Sequence, residues 1–188
     1  SDRTLYVPSN ADGTILTNTT PGCILQVKQN SDTTTPGTLS MPTGNVNYSI
    51  PNLNVTITPA SSSNKILISF QAYGEGDYPD HNYSFRVERA ISGGATTNIQ
   101  GLASSNRIPT MAQLPTAYHG DDNDSTPSQT AVSNYLDSPS TTSAITYTVQ
   151  VRTNADSKEW NYNRSNGDSN NVDYERGMSW ITVMEVAG

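Results

Sequence analysis

Between Ala144 and Thr153 the side chains alternate without a fault: Ile145, Tyr147, Val149 and Val151 fall on one phase, and Thr146, Thr148, Gln150 and Arg152 on the other. Successive side chains leave opposite faces of a pleated strand, so this pattern specifies a strand with one buried and one wet face. The pattern recurs along the chain. Leu53, Val55 and Ile57 alternate with Asn54, Thr56 and Thr58, and Pro59 ends that run because it offers the ladder no donor. Ile66, Ile68, Phe70 and Ala72 then share a phase, and the intervening turn "ASSSN" makes these two segments read as a hairpin. Tyr83, Phe85, Val87 and Ile91 follow, with Ser84, Arg86 and Glu88 on the wet phase and "SGGATT" as the next turn.

The two ends of the pattern are less regular. Near the start, "GCILQVKQ" places Cys23, Leu25 and Val27 on one face and reads as the first strand, with Cys23 as a small core residue. Near the end, "MSWITVMEVAG" is apolar on both phases, with Trp180, Met184 and Val186 against Ile181 and Val183. Such a strand is expected in the middle of a sheet or at a subunit contact. The stretch from Leu102 to Asn134 holds three prolines and reads as a long excursion with a short strand or two.

No amphipathic helix interrupts the series. Serine, threonine and asparagine make up about a third of the 188 residues, a mixture that starves helices and supplies strands and turns. Seven or eight strands without helices predict an all-β fold, an antiparallel β-sandwich of jelly-roll type. The length suits one domain, here residues 22–188, with residues 1–21 as an extended arm or connector.

Charge and cysteine content narrow the function. The net charge of −7 argues against nucleic acid as a partner, because phosphate neutralisation needs clustered Lys and Arg. It equally disfavours an anionic membrane surface, and no apolar run reaches the roughly 20 residues of a spanning helix, so membrane insertion is not expected. Cys23 is the only cysteine, which removes internal disulfides and multi-cysteine zinc sites.

Several segments, in order, resemble the C-terminal domains of tailed-bacteriophage tail-fibre and appendage structural proteins. They are "PGCILQVKQ", "LNVTITPASSSNKILISF", "YSFRVERA", "YLDSPSTTSAITYTVQVRT", "NRSNGDSN" and "ITVMEVAG", which together span most of Pro21 to Gly188. The resemblance implies a virion part, commonly a homotrimer, that contacts other virion proteins and has no enzymatic role. It is weak at residues 74–82, 106–134 and 156–162, the distribution expected of a constant scaffold carrying variable recognition loops.

Three kinds of site chemistry are legible in those loops. Sugar binding takes flat aromatic faces beside short amide and carboxylate groups. Glu159, Trp160, Asn161 and Tyr162 supply that combination; Asp77, Tyr78, Asp80 and His81 form a second group, and Tyr118 with His119 a third. Two metal readings are open: Asp121, Asn123 and Ser125 alternate like the start of a calcium loop, although the glycine and closing glutamate of an EF-hand are absent, and His81 and His119 could share an ion across a threefold axis. Catalysis is not expected. No G-x-S-x-G elbow surrounds any serine, and a glycosidase reading would draw on two carboxylate clusters, Glu75, Asp77 and Asp80 in one loop and Asp121, Asp122 and Asp124 in another. The reading is therefore host recognition through a surface glycan or envelope protein, with a purely structural role as head decoration, neck appendage or fibre cap as the alternative.

Overall fold

The computed structural model describes residues 20–30, 35–77, 83–114 and 127–188. Within them the chain forms eleven strands and no helix. These are β1 (Ile24–Asn30), β2 (Gly37–Met41), β3 (Tyr48–Ile57), β4 (Lys65–Gly76), β5 (Ser84–Ile91), β6 (Thr96–Ile99), β7 (Ala112–Gln113), β8 (Ser128–Asp137), β9 (Ile145–Arg152), β10 (Lys158–Tyr162) and β11 (Trp180–Val186).

All pairings are antiparallel and fall into two sheets. Setting the short β2, β7 and β10 aside, the order is β1-β11-β4-β8 in the first sheet and β3-β9-β5-β6 in the second. Apart from β5 and β6, which are neighbours in the second sheet, successive strands of this set switch sheets, in the double Greek-key order of a jelly roll. β10 and β11 lie end to end along one edge of β4, as a single strand split by residues 163–179.

The core lies between the sheets and is built from the apolar phases read in the sequence. Ile66, Ile68, Phe70 and Ala72 of β4 meet Tyr83, Phe85 and Val87 at and beside β5, with Ile145 to Val151 of β9 and Leu53, Val55 and Ile57 of β3. β11 sits between β1 and β4, the interior position expected of a strand apolar on both faces.

Two expectations are corrected. β3 and β4 are not a hairpin: β3 pairs β9 in one sheet, while β4 pairs β8, β10 and β11 in the other. Facing strands of opposite sheets present the same alternation as neighbours within one sheet, so pattern alone does not tell an arch from a hairpin. Residues 58–64 cross the roughly 10 Å between sheets, and Glu185 Oε1 holds the crossing by accepting the Ala60 N–H at 2.6 Å. In β1, Cys23 is only half-buried and Val27 is 53% exposed. A register shift between Ile24 and Gln26 changes the phase, sending Val27 outward and Gln26 inward to Glu185.

The two ends of the sandwich differ. At one end, called lower here, residues 58–64, 92–95 and 138–144 make short connections. At the upper end residues 42–47 and 153–157 make the described connections, and there β4, β7 and β9 finish and β5, β8 and β10 begin.

Candidate functional site

The sugar-binding group expected around Trp160 is part of the scaffold. Trp160 is fully buried, with its ring 5.2 Å from Phe85 in an edge contact and 6.0 Å from Tyr83. Its segment is β10, paired on both edges with β2 and β4, rather than a rim loop. Asn161 is buried as well: its Oδ1 accepts from Thr38 Oγ1 and Arg164 Nη2, and its Nδ2 donates to Asn166 Oδ1. Tyr162 packs half-buried against the core beside Gly37, where a Cβ would stand 2.3 Å from the phenol oxygen. Glu159 alone of the four is exposed. A five-residue strand in a polar, aromatic-rich setting carries too few residues to distinguish its alternation from a decorated loop, which is why the sequence misplaces it.

The acidic group is likewise drawn into structure where it is described. Glu75 is buried and accepts the Asn166 N–H at 2.7 Å, and Asp77 Oδ1 accepts the Tyr83 hydroxyl. Tyr78, Asp80, His81, Tyr118, His119, Asp121, Asp122, Asn123, Asp124 and Ser125 lie outside the described residues. Among the described residues, no group of three His, Cys, Asp or Glu side chains is placed to hold a metal ion. Tyr78, Asp80 and His81 belong to a segment that leaves the sheets after Asp77 and re-enters at Tyr83; the segment holding Tyr118 to Ser125 leaves after Leu114 and re-enters at Pro127. Both are anchored at the upper end, because Ser84 pairs Gln113 and Gly74 pairs Ser128.

The same end carries a cluster that sequence reading assigned to solvent. Arg86 lies on the wet phase of β5, yet it is only 1% exposed. Its Nη1 donates to Gln100 Oε1 at 3.0 Å and its Nη2 to Ser84 Oγ at 3.1 Å, while Nε–H has no acceptor. Ser84 Oγ in turn donates to the Arg152 carbonyl oxygen. Arg152 stands opposite Ser84 across the β5–β9 ladder, donates from Nη2 to Asn45 Oδ1, and leaves its own Nε–H without an acceptor. Burial first, and then the neighbouring Arg152 charge, lower the Arg86 pKa to about 10.

Among the described residues no carboxylate forms an ion pair with either guanidinium. The other ion pairs of the described residues join Arg89 to Asp137, and Arg164 and Arg176 to Asp168. Nothing local in the sequence signals Arg86 as buried. Its cover includes Gln100, brought over β5 by the chain between β6 and β7, where Thr110 Oγ1 also donates to the Phe85 carbonyl oxygen.

In comparisons with known proteins, no family model matches the chain and no curated protein is detectably similar to it.

Proposed function

We propose that this chain is a non-catalytic adhesive domain of a bacteriophage virion appendage, working as a homotrimer that binds a surface glycan of the host through the upper end of the jelly roll. The observation that carries this reading is that β4 ends and β5 begins, and β7 ends and β8 begins, at the same end of the sandwich, so the two segments that hold the candidate residues Tyr78 to His81 and Tyr118 to Ser125 leave and re-enter the sheets side by side. Binding residues concentrate on loops held by a rigid frame. The engagement of Glu75 and Asp77 in structural hydrogen bonds weighs against a hydrolase that uses them.

Assembly is supported by the outer face of the first sheet. Val27, Met184, Leu67 and Leu136 stand opposite one another on four adjacent strands and form an apolar row across it, with Ile24 beside Val186 one step along. Val27 and Leu136 are 53% and 45% exposed. The side chains flanking the row on the same strands are Gln29, Thr182, Ser69 and Gln71, so like copies of a −7 chain meet there without facing carboxylates. Apolar rows of this kind mark interaction surfaces. The row also suits the structural alternative, a capping or decorating virion part, since that role needs assembly without a receptor.

Single-site affinity for a sugar in a shallow site is about millimolar, roughly 4 kcal/mol, and three linked copies raise avidity by orders of magnitude. The test is saturable binding of the labelled oligomer to bacterial cells and to their purified surface polysaccharide. Binding with no change in polysaccharide length is expected. Absence of binding, while another virion part adheres to the same cells, overturns the recognition reading in favour of the structural one; shortening of the polysaccharide overturns the non-catalytic one.

A further inference from the structure

We propose that Arg86 and Arg152 form a recessed site for an acidic sugar, one that carries a carboxylate or sulfate ester, on the outer face of the second sheet beside the upper end. This deepens the glycan-binding reading and rests on it.

The first ground is an uncompensated charge. A guanidinium removed from water without a counter-ion is costly, and folded chains avoid it unless the charge is paired or used. Arg86 is 1% exposed and has only two neutral acceptors, and Arg152 adds a second positive charge rather than a balancing negative one. Elsewhere the molecule does pair its arginines: Arg89 reaches Asp137 at 2.7 Å and Arg176 reaches Asp168 at 2.9 Å. A chain with an excess of acidic residues that leaves these two arginines together has a place for an anion from outside.

The second ground is the pattern of unmet hydrogen bonds. Arg86 Nε–H and Arg152 Nε–H are donors without acceptors; Arg89 Nε–H is one too, but its guanidinium is paired with Asp137. Ser84 pairs Arg152 and Arg86 pairs Gln150, so the two arginines are diagonal neighbours on one face, within reach of a single group. Gln150 Oε1 on the same face is a buried acceptor without a donor, and its Nε2 is already held by Glu88 Oε2 at 3.0 Å. Asn47 Oδ1, one residue before the paired Tyr48–Val151 position, is another such acceptor. Two charged donors flanked by two acceptors match a sugar that carries an oxyanion and hydroxyls, rather than a bare ion. Arg152 is partly buried and Arg86 fully buried, so Arg152 is the nearer of the two to solvent.

The arginine Nε–H resonances report on this site directly. Titration of the intact chain with D-glucuronate and with glucose 6-sulfate is expected to shift both the Arg86 and the Arg152 Nε–H signals saturably, and the stronger of the two ligands identifies the oxyanion. Glucose, and sodium chloride at matched ionic strength, are expected to leave them in place. Loss of one charge-assisted hydrogen bond in Arg152→Gln weakens binding at least about tenfold, whereas Arg107→Gln, at an exposed arginine, leaves it unchanged. Because removing Arg86 alters a buried position, Arg86→Met is read only beside its own folded spectrum, and loss of the Arg152 shift there supports the pair. Shifts that grow linearly with salt, equal shifts with glucose, or undiminished binding in Arg152→Gln overturn the proposal. An oligomer that still adheres to cells while neither acidic sugar binds removes this site and leaves the recognition reading standing; acidic-sugar binding without adhesion does the reverse.

Discussion

At the lower end of the sandwich two buried carboxylates are each surrounded by donors, while at the upper end two arginines lie together and, among the described residues, neither forms an ion pair. Glu185 accepts from Asn64 Nδ2, Gln26 Nε2 and the Ala60 N–H, all at 2.6 Å, and so ties β1, β11 and the arch between β3 and β4 together. Asp137 accepts from Arg89 and from the Tyr147 hydroxyl, closing β8 against β5 and β9. Burial and then the Asp137 charge push the Tyr147 phenol well above its ordinary range, so it stays a donor at every physiological pH. Arg86 and Arg152 lie on the same two strands, β5 and β9, near their other ends. The difference separates buried charge that is paired within the fold from buried charge that is not, and a ligand accounts for the second kind.

The strongest way to break the comparison is at Glu185. Glu185→Ala strands three donors in the lower end and is expected to cost about 3–5 kcal/mol, read from urea unfolding; a cost below about 1 kcal/mol would show that the network is decorative. Trp160→Ala removes a fully buried ring and belongs to the same range, about 3–5 kcal/mol. It is a test of the core, and its loss of adhesion would follow unfolding rather than a lost sugar contact.

Acid sharpens the same contrast. For Glu185, burial acts to raise the pKa, but hydrogen bonds from Asn64, Gln26 and the Ala60 and Ser61 backbone outweigh it and hold the group below the ordinary glutamate range. Its contribution is therefore complete above the unfolded value of about 4.3 and disappears as pH falls through the lower folded value. Thermal unfolding is expected to weaken below about pH 4, with a flatter profile in Glu185→Gln. Equal profiles for the two proteins would place the acid sensitivity elsewhere.

Smaller effects are expected away from the lower end. Replacing both Val27 and Leu136 by Asp is expected to shift sedimentation from oligomer to monomer with little change in monomer stability, because both side chains are exposed. An intact oligomer would move the contact to another face. Arg152→Gln is expected to alter stability by less than about 0.5 kcal/mol, or to raise it by relieving repulsion with Arg86; a marked destabilisation would make Arg152 a structural residue.

The legible and illegible parts of the molecule divide along the same lines. Strand phase is local, so Ile66 to Ala72, Tyr83 to Val87 and Ile145 to Val151 could be assigned to the core from spacing alone, and they occupy it. The β3–β4 arch could not be told from a hairpin, because both bury the same phase. Trp160 reads as a sugar platform because its neighbours Glu159, Asn161, Asn163 and Arg164 are polar, yet Asn161 is bonded to Thr38 and Arg164, and Asn163 accepts from the buried Ser179. Burial of a polar side chain depends on its partners, and those partners come from strands remote in sequence.

By itself the sequence determined that this chain forms strands, which phase of most of them is apolar, and that its net charge is −7. Period-two alternation, turn chemistry and net charge are properties of neighbouring residues or of their sum. The tertiary structure alone decided which strands became neighbours, that Trp160 belongs to the core, and that Arg86 on the wet phase of β5 is covered beside Arg152. Those outcomes depend on register and on chain crossing over a sheet face, which arise only when segments distant in sequence meet.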